Sequence, residues 1–246
     1  DPVSIARMRI PRGVLAAALV VSCGGSQHAD KPAQPAPKVV TYAPLGFKAD
    51  AKAPGQAVIL GTDDKGGSTV IALPTAPSTA TVDSLFVQMS PPIAGGLAPV
   101  AVTTAPDPDG SLQVRASDAL DGAQGRAGVW TSAMVAAAAL DKDLTDFTFA
   151  ASSAGPIDGA SASAVIAGGF LAAMTGASID PTATVTGTLG PDGTLGPDGA
   201  IPDQFLAAIG KGKKRLGYPA GMRMAKSEAT GELVDLVALA TQHGAE

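Results

Sequence analysis

Short apolar runs separated by turn signals follow residue 56. The runs Ala57–Thr62 and Thr69–Leu73 are joined by the sequence D-D-K-G-G, which is typical of a hairpin turn. Three further strands are predicted at Leu85–Met89, Pro99–Thr103 and Leu112–Arg115. The pattern therefore predicts initial β-hairpins in this part of the chain.

Strands and helices alternate in the second half of the chain. The predicted elements are, in order, a helix over Gly125–Leu140, a strand over Asp146–Ala151, a helix over Ala160–Thr175, a strand over Thr182–Leu189 and a helix over Ile201–Ile209. An initial run of β structure followed by this alternation predicts an α/β fold of the α+β type.

Two of the helical segments are expected to carry apolar side chains on one face. In the first helix these residues are Val129, Trp130, Met134 and Ala137. The C-terminal stretch 231–243 is predicted as an amphipathic helix whose inward residues are Leu233, Leu236, Val237 and Ala240. Packing is the expected role of this last helix.

Residues 1–23 have the features of an export signal. After the expected start at Met8, a basic stretch precedes the apolar run G-V-L-A-A-A-L-V-V, which is too short to span a bilayer as a mature helix. Cys23 follows V-V-S, which resembles a bacterial lipoprotein signal and predicts lipidation of that cysteine. An ordinary secretory signal with an incidental cysteine is the alternative. Both interpretations predict export, and the first predicts a cell-envelope protein held at the membrane only through Cys23.

Residues 24–56 are rich in Ala, Pro and Lys and are predicted to be a tether before a folded domain over residues 57–246. A chain of 246 residues with 46% hydrophobic residues can bury one substantial core. Its net charge of −5 and its lack of basic stripes interleaved with aromatics argue against nucleic-acid binding. With one cysteine, the protein cannot form an internal disulfide.

Elimination narrows the possible chemistry. The two histidines, His28 and His243, lie in the tether and close to the C-terminus, so histidine-based triads and zinc sites are not expected. The chain has no P-loop motif, and we expect neither a cofactor nor a metal. Paired aspartates are explained by turns, at Asp107 and Asp109 and at Asp192 and Asp198. A serine or threonine activated by lysine, a carboxylate pair, or no chemistry remain.

Ser161 is the candidate nucleophile. It lies in the stretch P-I-D-G-A-S-A-S, where a strand pattern ends and a helix of small residues begins. Unpaired backbone N–H groups and the positive end of the helix dipole could hold a developing oxyanion there. A helix N-cap is the alternative, and local composition alone favours the cap.

The order and spacing of several motifs resemble the proteolytic domain of Lon proteases. The motif P-I-D-G-A-S-A is followed by a helix ending in M-T-G, then by T-V-T-G-T-L and by P-D-G-A-I-P, from about Asp146 to Pro219. The resemblance is closest to stand-alone Lon-like proteins and implies a Lon-like fold, cleavage of peptide bonds by a serine and lysine pair, and ring assembly as a family habit. It assigns the nucleophile to Ser161, and a hydroxyl that positions the lysine amine to Thr186. Asp158, Gly159 and Gly187 would support the site.

The resemblance places Gln204 where the family has its catalytic lysine. A glutamine amide cannot act as a general base near neutrality, so this substitution breaks the inherited mechanism. The proline usual before the nucleophile is Ala160, and the glycine usual two residues after it is Ser163. Lys211 would lie about 10 Å further along the helix axis, too far to replace the amine. The run Lys213, Lys214 and Arg215 is expected to be a solvated charge cluster at a helix end.

Three hypotheses follow from these residues. The first is an active Lon-like serine endopeptidase that uses an unrecognised base. The second is an exported pseudoprotease that binds unfolded peptide segments or a protein partner without cutting them. The third is a non-enzymatic assembly module, with possible homo-oligomers. The missing base favours the second hypothesis. Because the chain has no ATP-driven module, any substrate is expected to be an unfolded segment or a short peptide.

Overall fold

The computed structural model describes residues 57–62, 68–120, 122–155, 157 and 159–246. The predicted signal, Cys23, the tether, the turn at 63–67 and Asp158 lie outside these residues. The described part is a mixed α/β structure with four α-helices and several small sheets, which confirms the predicted α/β class. The finer prediction of a Lon-like fold stays a prediction.

The strands precede, separate and follow the helices along the chain. The strands are β1 Ala57–Thr62, β2 Ser68–Ala72, β3 Ser78–Gln88, β4 Ala94–Pro106, β5 Gln113–Ala116, β6 Phe147–Ser153, β7 Ala183–Val185, β8 Thr188–Leu189, β9 Leu195–Gly196, β10 Arg215–Gly217, β11 Met224–Lys226 and β12 Leu233–Asp235. The helices are α1 Ala123–Ala139, α2 Ser163–Thr175, α3 Ile201–Gly210 and α4 Leu236–Gln242. The predicted positions of the first hairpin, α1, β6, α2 and α3 are confirmed to within a few residues.

A four-stranded sheet in the order β3-β4-β6-β5 forms the centre of the described structure. The strands β3 and β4 form a long antiparallel ladder from the pair Ser78↔Thr104 to the pair Gln88↔Ala94. β6 pairs antiparallel with β4, whereas β5 pairs parallel with β6. β3 is therefore an edge strand of this sheet. The helices α1 and α2 pack with the sheet around Phe149, Phe170 and Ile166.

The inward face of α1 consists of small residues, which corrects the expectation for its apolar face. Val129 and Ala137 are fully buried, but Trp130 and Met134 are 38% and 39% exposed. The buried residues of the helix are Gly125, Gly128, Val129, Ser132, Ala133, Ala136 and Ala137. Small side chains let α1 approach α2 closely, so the large side chains of α1 lie on the outside.

A second core surrounds α3 and the C-terminal elements. It contains Leu85, Ile201, Phe205, Ala208, Leu216, Ala225 and Leu236. The predicted C-terminal helix was too long, because the structure has the strand β12 before α4. Leu233 lies in that strand and is 66% exposed, and Val237 is also exposed, whereas Leu236 and Ala240 are buried as predicted. Asp235 ends the strand and caps α4 by accepting hydrogen bonds from the backbone N–H groups of Val237 and Ala238.

The predicted strand over Thr182–Leu189 is divided into two short strands. β7 pairs parallel with β10, and β8 pairs antiparallel with β9. Thr186 and Gly187 lie between them, and Gly187 has a φ of 134°, a left-handed conformation that breaks the extended strand. Because of this break, the strands before and after Thr186 and Gly187 pair with different partners.

Lys213 is buried, contrary to the prediction of a solvated charge run. Its ammonium lies 2.6 Å from the carboxylate of Asp83 and donates to the carbonyl oxygens of Pro181 at 2.8 Å and Ala183 at 3.3 Å. Its neighbours Lys214 and Arg215 are exposed, as predicted. Lys213 thereby joins the end of α3 to β3 and to the start of β7.

The helices in the described ranges are too short or too polar to cross a membrane.

Candidate functional site

Ser161 lies in a short 3-10 turn, Ala160–Ala162, directly before α2. Gly159 precedes the turn with a φ of 139° and sets its entry into the helix. Neither this turn nor α2 has a side-chain cap, so the Ser161 hydroxyl does not act as an N-cap. It makes no hydrogen bond to another residue that the structure describes. The Ser161 carbonyl oxygen accepts a hydrogen bond of 3.3 Å from the N–H of Gly187.

Ser163 has a structural role in the same segment. Its buried hydroxyl donates to the carbonyl oxygen of Ala160 and accepts a hydrogen bond of 2.8 Å from the N–H of Leu189 in β8. The hydroxyl of Ser132 in α1 donates to the Ser163 carbonyl oxygen at 2.7 Å. The Ser163 hydroxyl therefore links α2 to β8, and the Ser163 carbonyl oxygen links α2 to α1.

Gln204 lies in the first turn of α3. This helix follows Ala200, which has a left-handed φ of 52°, and carries Pro202 in its first turn, where a missing N–H is tolerated. Gln204 is only 3% exposed. Its Nε2 donates hydrogen bonds of 3.0 Å to Oδ2 of Asp198 and of 3.0 Å to the carbonyl oxygen of Gly199. Both donors of the amide are thus held by the segment that precedes the helix.

Thr186 and Gln204 donate hydrogen bonds to the same carboxylate, that of Asp198. The hydroxyl of Thr186, which is 1% exposed, donates to Oδ2 of Asp198, the oxygen that also accepts from Gln204. The other carboxylate oxygen of Asp198 accepts a hydrogen bond of 2.8 Å from the N–H of Gly199. Asp198 therefore connects the two positions that the resemblance assigns to the dyad lysine and its supporting hydroxyl.

Sequence reasoning had attributed Asp198 to a turn, and its contacts with Thr186 and Gln204 were missed. The earlier P-D-G repeat shows the ordinary behaviour, because Asp192 accepts from the hydroxyl and the N–H of Thr194. The Thr194 hydroxyl is the main cause that lowers the pKa of Asp192 below 3.8, followed by the Thr194 N–H. The two repeats share the sequence G-P-D-G, but the second has Ala200 where the first has Thr194, and Asp198 lies at the candidate site.

The Ser161 and Gln204 side chains belong to the wall of one cleft of about 600 Å³. Its wall is formed by Leu85, Phe86, Val87, Gln88, Met89, Ile157, Ser161, Asp198, Gly199, Ala200, Gln204 and Glu228. Five of these residues follow one another along β3 and its end, at the edge of the central sheet. Among the described wall residues there is neither a lysine nor a histidine. The site accordingly brings together a free serine hydroxyl, a neutral amide and two carboxylates.

The nearby lysines of the sequence are placed elsewhere. Lys211 is exposed at the C-terminal end of α3, and Lys213 is engaged with Asp83 and two carbonyl oxygens. Neither residue contributes to the cleft wall. The described residues thus place no amine at the cleft wall that could act as a base for Ser161.

Comparison with models of known protein families and with curated proteins finds no match for this chain.

Proposed function

We propose that this chain is a peptide-binding domain with a Lon-like fold that has lost the chemistry of proteolysis. The observation that carries the proposal is the Gln204 amide, which stands at the expected lysine position in the same cleft wall as Ser161. A serine hydroxyl attacks a peptide bond only when a base takes its proton and later returns it to the leaving amine. The neutral amide can do neither.

The surroundings of Gln204 agree with a stable amide at this position. Gln204 is buried, and both of its N–H donors are engaged, by Asp198 and by the carbonyl oxygen of Gly199. A carboxylate beside an amine would favour the charged ammonium, which has no lone pair for accepting a proton. The pocket is therefore organised around a hydrogen-bonded polar network rather than around a neutral amine.

The proposed ligand is an extended peptide segment. The cleft includes the end of the edge strand β3, from Leu85 to Gln88, and Met89 directly after it. An edge strand presents backbone N–H and C=O groups that an added strand can pair with. Apolar side chains from Leu85, Val87 and Ile157 would contact alternate side chains of such a segment.

The proposed setting is the bacterial cell envelope. It is supported by the sequence of residues 1–23, which has the features of an export signal and a cysteine at the lipoprotein position. Unfolded segments and short peptides would be the available ligands there, because the chain contains no P-loop that could drive the unfolding of a folded substrate.

Hydrolysis and binding should be measured on the same unfolded protein with the full chain. We expect saturable binding by fluorescence anisotropy, and no release of fluorescence from a quenched form of the substrate that depends on Ser161. The matched pair Met89→Asn and Leu112→Asn tests the location, because both side chains are exposed but only Met89 lines the cleft. Met89→Asn should weaken binding several-fold, and Leu112→Asn should not.

Two results would overturn the proposal. Hydrolysis by the wild type that disappears in Ser161→Ala would show an active peptidase with a base other than lysine. Absence of binding by a folded wild-type chain would leave the assembly module as the remaining hypothesis.

A further inference from the structure

The charged residues described in the cleft wall are all acidic. Asp198 and Glu228 line it, and none of the described wall residues is a lysine, arginine or histidine. Lys226 is the ion-pair partner of Glu228: its ammonium lies 3.7 Å from the Glu228 carboxylate, and its side chain is largely exposed. This pair is longer than a hydrogen bond, and exposed pairs of this kind are weak. Glu228 therefore keeps a carboxylate that a ligand can use.

Glu228 is held at the cleft by its backbone. Its N–H donates a hydrogen bond of 2.7 Å to Oδ2 of Asp203 in α3, and the other oxygen of Asp203 accepts from the hydroxyl of Ser227 at 2.8 Å. Asp203 precedes Gln204 and is itself buried. The first turn of α3 thus carries Gln204 and also fixes the backbone of Glu228.

An unused acceptor lies in the same wall. Oε1 of Gln204 is buried and has no hydrogen-bond partner among the residues that the structure describes. A buried carbonyl oxygen without a donor is costly, and a ligand that brings N–H groups would satisfy it. The cleft therefore combines two negative charges and an amide oxygen that needs a donor, next to apolar side chains from β3.

We propose that the cleft selects segments that carry a lysine or arginine side chain, and that Glu228 is the residue that sets this preference. The inference rests on the proposed peptide-binding function. The ammonium or guanidinium group supplies only donors and a positive charge, which match Glu228, Asp198 and Oε1 of Gln204. The aliphatic stem of either side chain suits the apolar residues Leu85, Val87 and Met89.

Binding of three labelled peptides to the full chain tests the proposal. The peptides are unstructured, equal in length and identical except for a central lysine, norleucine or glutamate. We expect the lysine peptide to bind roughly tenfold more tightly than the norleucine peptide, with the glutamate peptide weakest. Salt should reduce this preference. Glu228→Gln should remove most of the difference in affinity between the lysine peptide and the norleucine peptide.

Glu232→Gln is the matched control, because Glu232 is exposed in the same C-terminal region and does not line the cleft. It should keep the full preference. Equal binding of all three peptides would overturn charge selection while the peptide-binding function stands. A preference for lysine that survives Glu228→Gln would overturn the role of Glu228. Failure of the folded wild type to bind any of the peptides would overturn the peptide-binding function and this inference with it.

Discussion

Gln204 donates a hydrogen bond of 3.0 Å to the carboxylate of Asp198, six residues earlier in the chain. Thr186 donates to the same oxygen, so one carboxylate holds the two positions that the Lon resemblance assigns to the dyad amine and its supporting hydroxyl. Because of this contact, any change of the residue at position 204 also changes the surroundings of the Asp198 carboxylate. Any amine introduced there would have a negative charge as its neighbour.

Gln204→Lys is expected to give hydrolysis of an unfolded substrate that depends on Ser161 and rises with pH. The introduced amine acts as a base only when it is neutral, and the carboxylate of Asp198 raises the pH at which it loses its proton. Combining Gln204→Lys with Asp198→Asn should therefore move the rise to lower pH by about one unit or more. A working base should increase the rate by roughly 10²-fold or more over the wild type.

The pH profiles of the single and double variants, each with and without Ser161→Ala, provide the measurement. In both variants the increase of the hydrolysis rate with pH should vanish when Ser161→Ala is added. If Asp198→Asn does not shift this increase along the pH axis, the carboxylate does not control the introduced amine. If the increase persists without Ser161, another residue is the nucleophile.

From the sequence, only those residues of the site that lie in recognisable motifs could be predicted. The Lon resemblance assigned Ser161, Thr186 and Gln204 to one site, and the structure places Ser161 and Gln204 on one cleft and connects Thr186 to Gln204 through Asp198. The contacts of Asp198 could not be predicted in this way. Its P-D-G turn is repeated at Asp192, where Thr194 donates to the carboxylate, and Ala200 at the corresponding position after Asp198 has no hydroxyl to do so. The partners of Asp198 instead come from Thr186 and α3, which a local sequence pattern does not reveal.

The fold was predictable where large apolar residues mark the buried side. The bounds of α3 agree with the prediction because its apolar residues recur at helical spacing and Pro202 marks its start. The buried side of α1 was not predictable from its large residues, because helices that approach closely bury Gly and Ala. The burial of Lys213 was not predicted for a related reason, since its partners Asp83, Pro181 and Ala183 come from distant segments.

Gly95→Ala is expected to destabilise the protein and to disturb the cleft. A Cβ at Gly95 in β4 would lie 2.0 Å from the carbonyl oxygen of Asp203, in the first turn of α3. Backbone cannot move aside as a flexible side chain can, so we expect a loss of about 1–3 kcal/mol in the free energy of unfolding. Denaturant unfolding provides the measurement. Peptide binding should weaken as well, because α3 carries Gln204.

Gly168→Ala is the control for this substitution. Gly168 is an exposed glycine inside α2, and a Cβ there would meet nothing within 4 Å. Alanine should raise the stability by up to about 1 kcal/mol through its helix propensity. Equal effects of the two substitutions would contradict the close approach of β4 and α3.

Lys213→Met is expected to reduce the stability by about 1–3 kcal/mol. The substitution keeps much of the side-chain volume but removes the ammonium, which leaves the carbonyl oxygens of Pro181 and Ala183 without this donor and Asp83 without its partner. The estimate stays below that for a fully buried pair because Asp83 is partly exposed. Lys214→Met, at the exposed neighbouring position, should change the stability by less than about 0.5 kcal/mol. If Lys213→Met lost as little stability as Lys214→Met, Lys213 would belong to a solvated charge run after all.

The ion pair between Arg223 and Asp235 predicts that the stability of the protein depends on pH. The guanidinium of Arg223 donates to both carboxylate oxygens of Asp235, at 3.1 and 2.9 Å. This contact, followed by the N–H of Ala238, lowers the pKa of Asp235 below its ordinary value of 3.8. A carboxylate whose pKa is lower in the folded state stabilises that state above the unfolded value, and the stabilisation is lost as the pH falls through the lower folded value.

Asp235→Asn isolates this charge, because asparagine is also a good N-cap for α4. The variant should have a lower Tm than the wild type at pH 7, and the gap should close as the pH falls below 3.8. Thermal unfolding followed by circular dichroism from pH 7 to acid provides the measurement. Asp109→Asn, at an exposed turn, is the control and should leave the Tm at pH 7 close to that of the wild type. A gap for Asp235→Asn that is constant over the whole range would mean that the capping geometry matters and the charge does not, because protonation of the wild-type carboxyl would then change nothing.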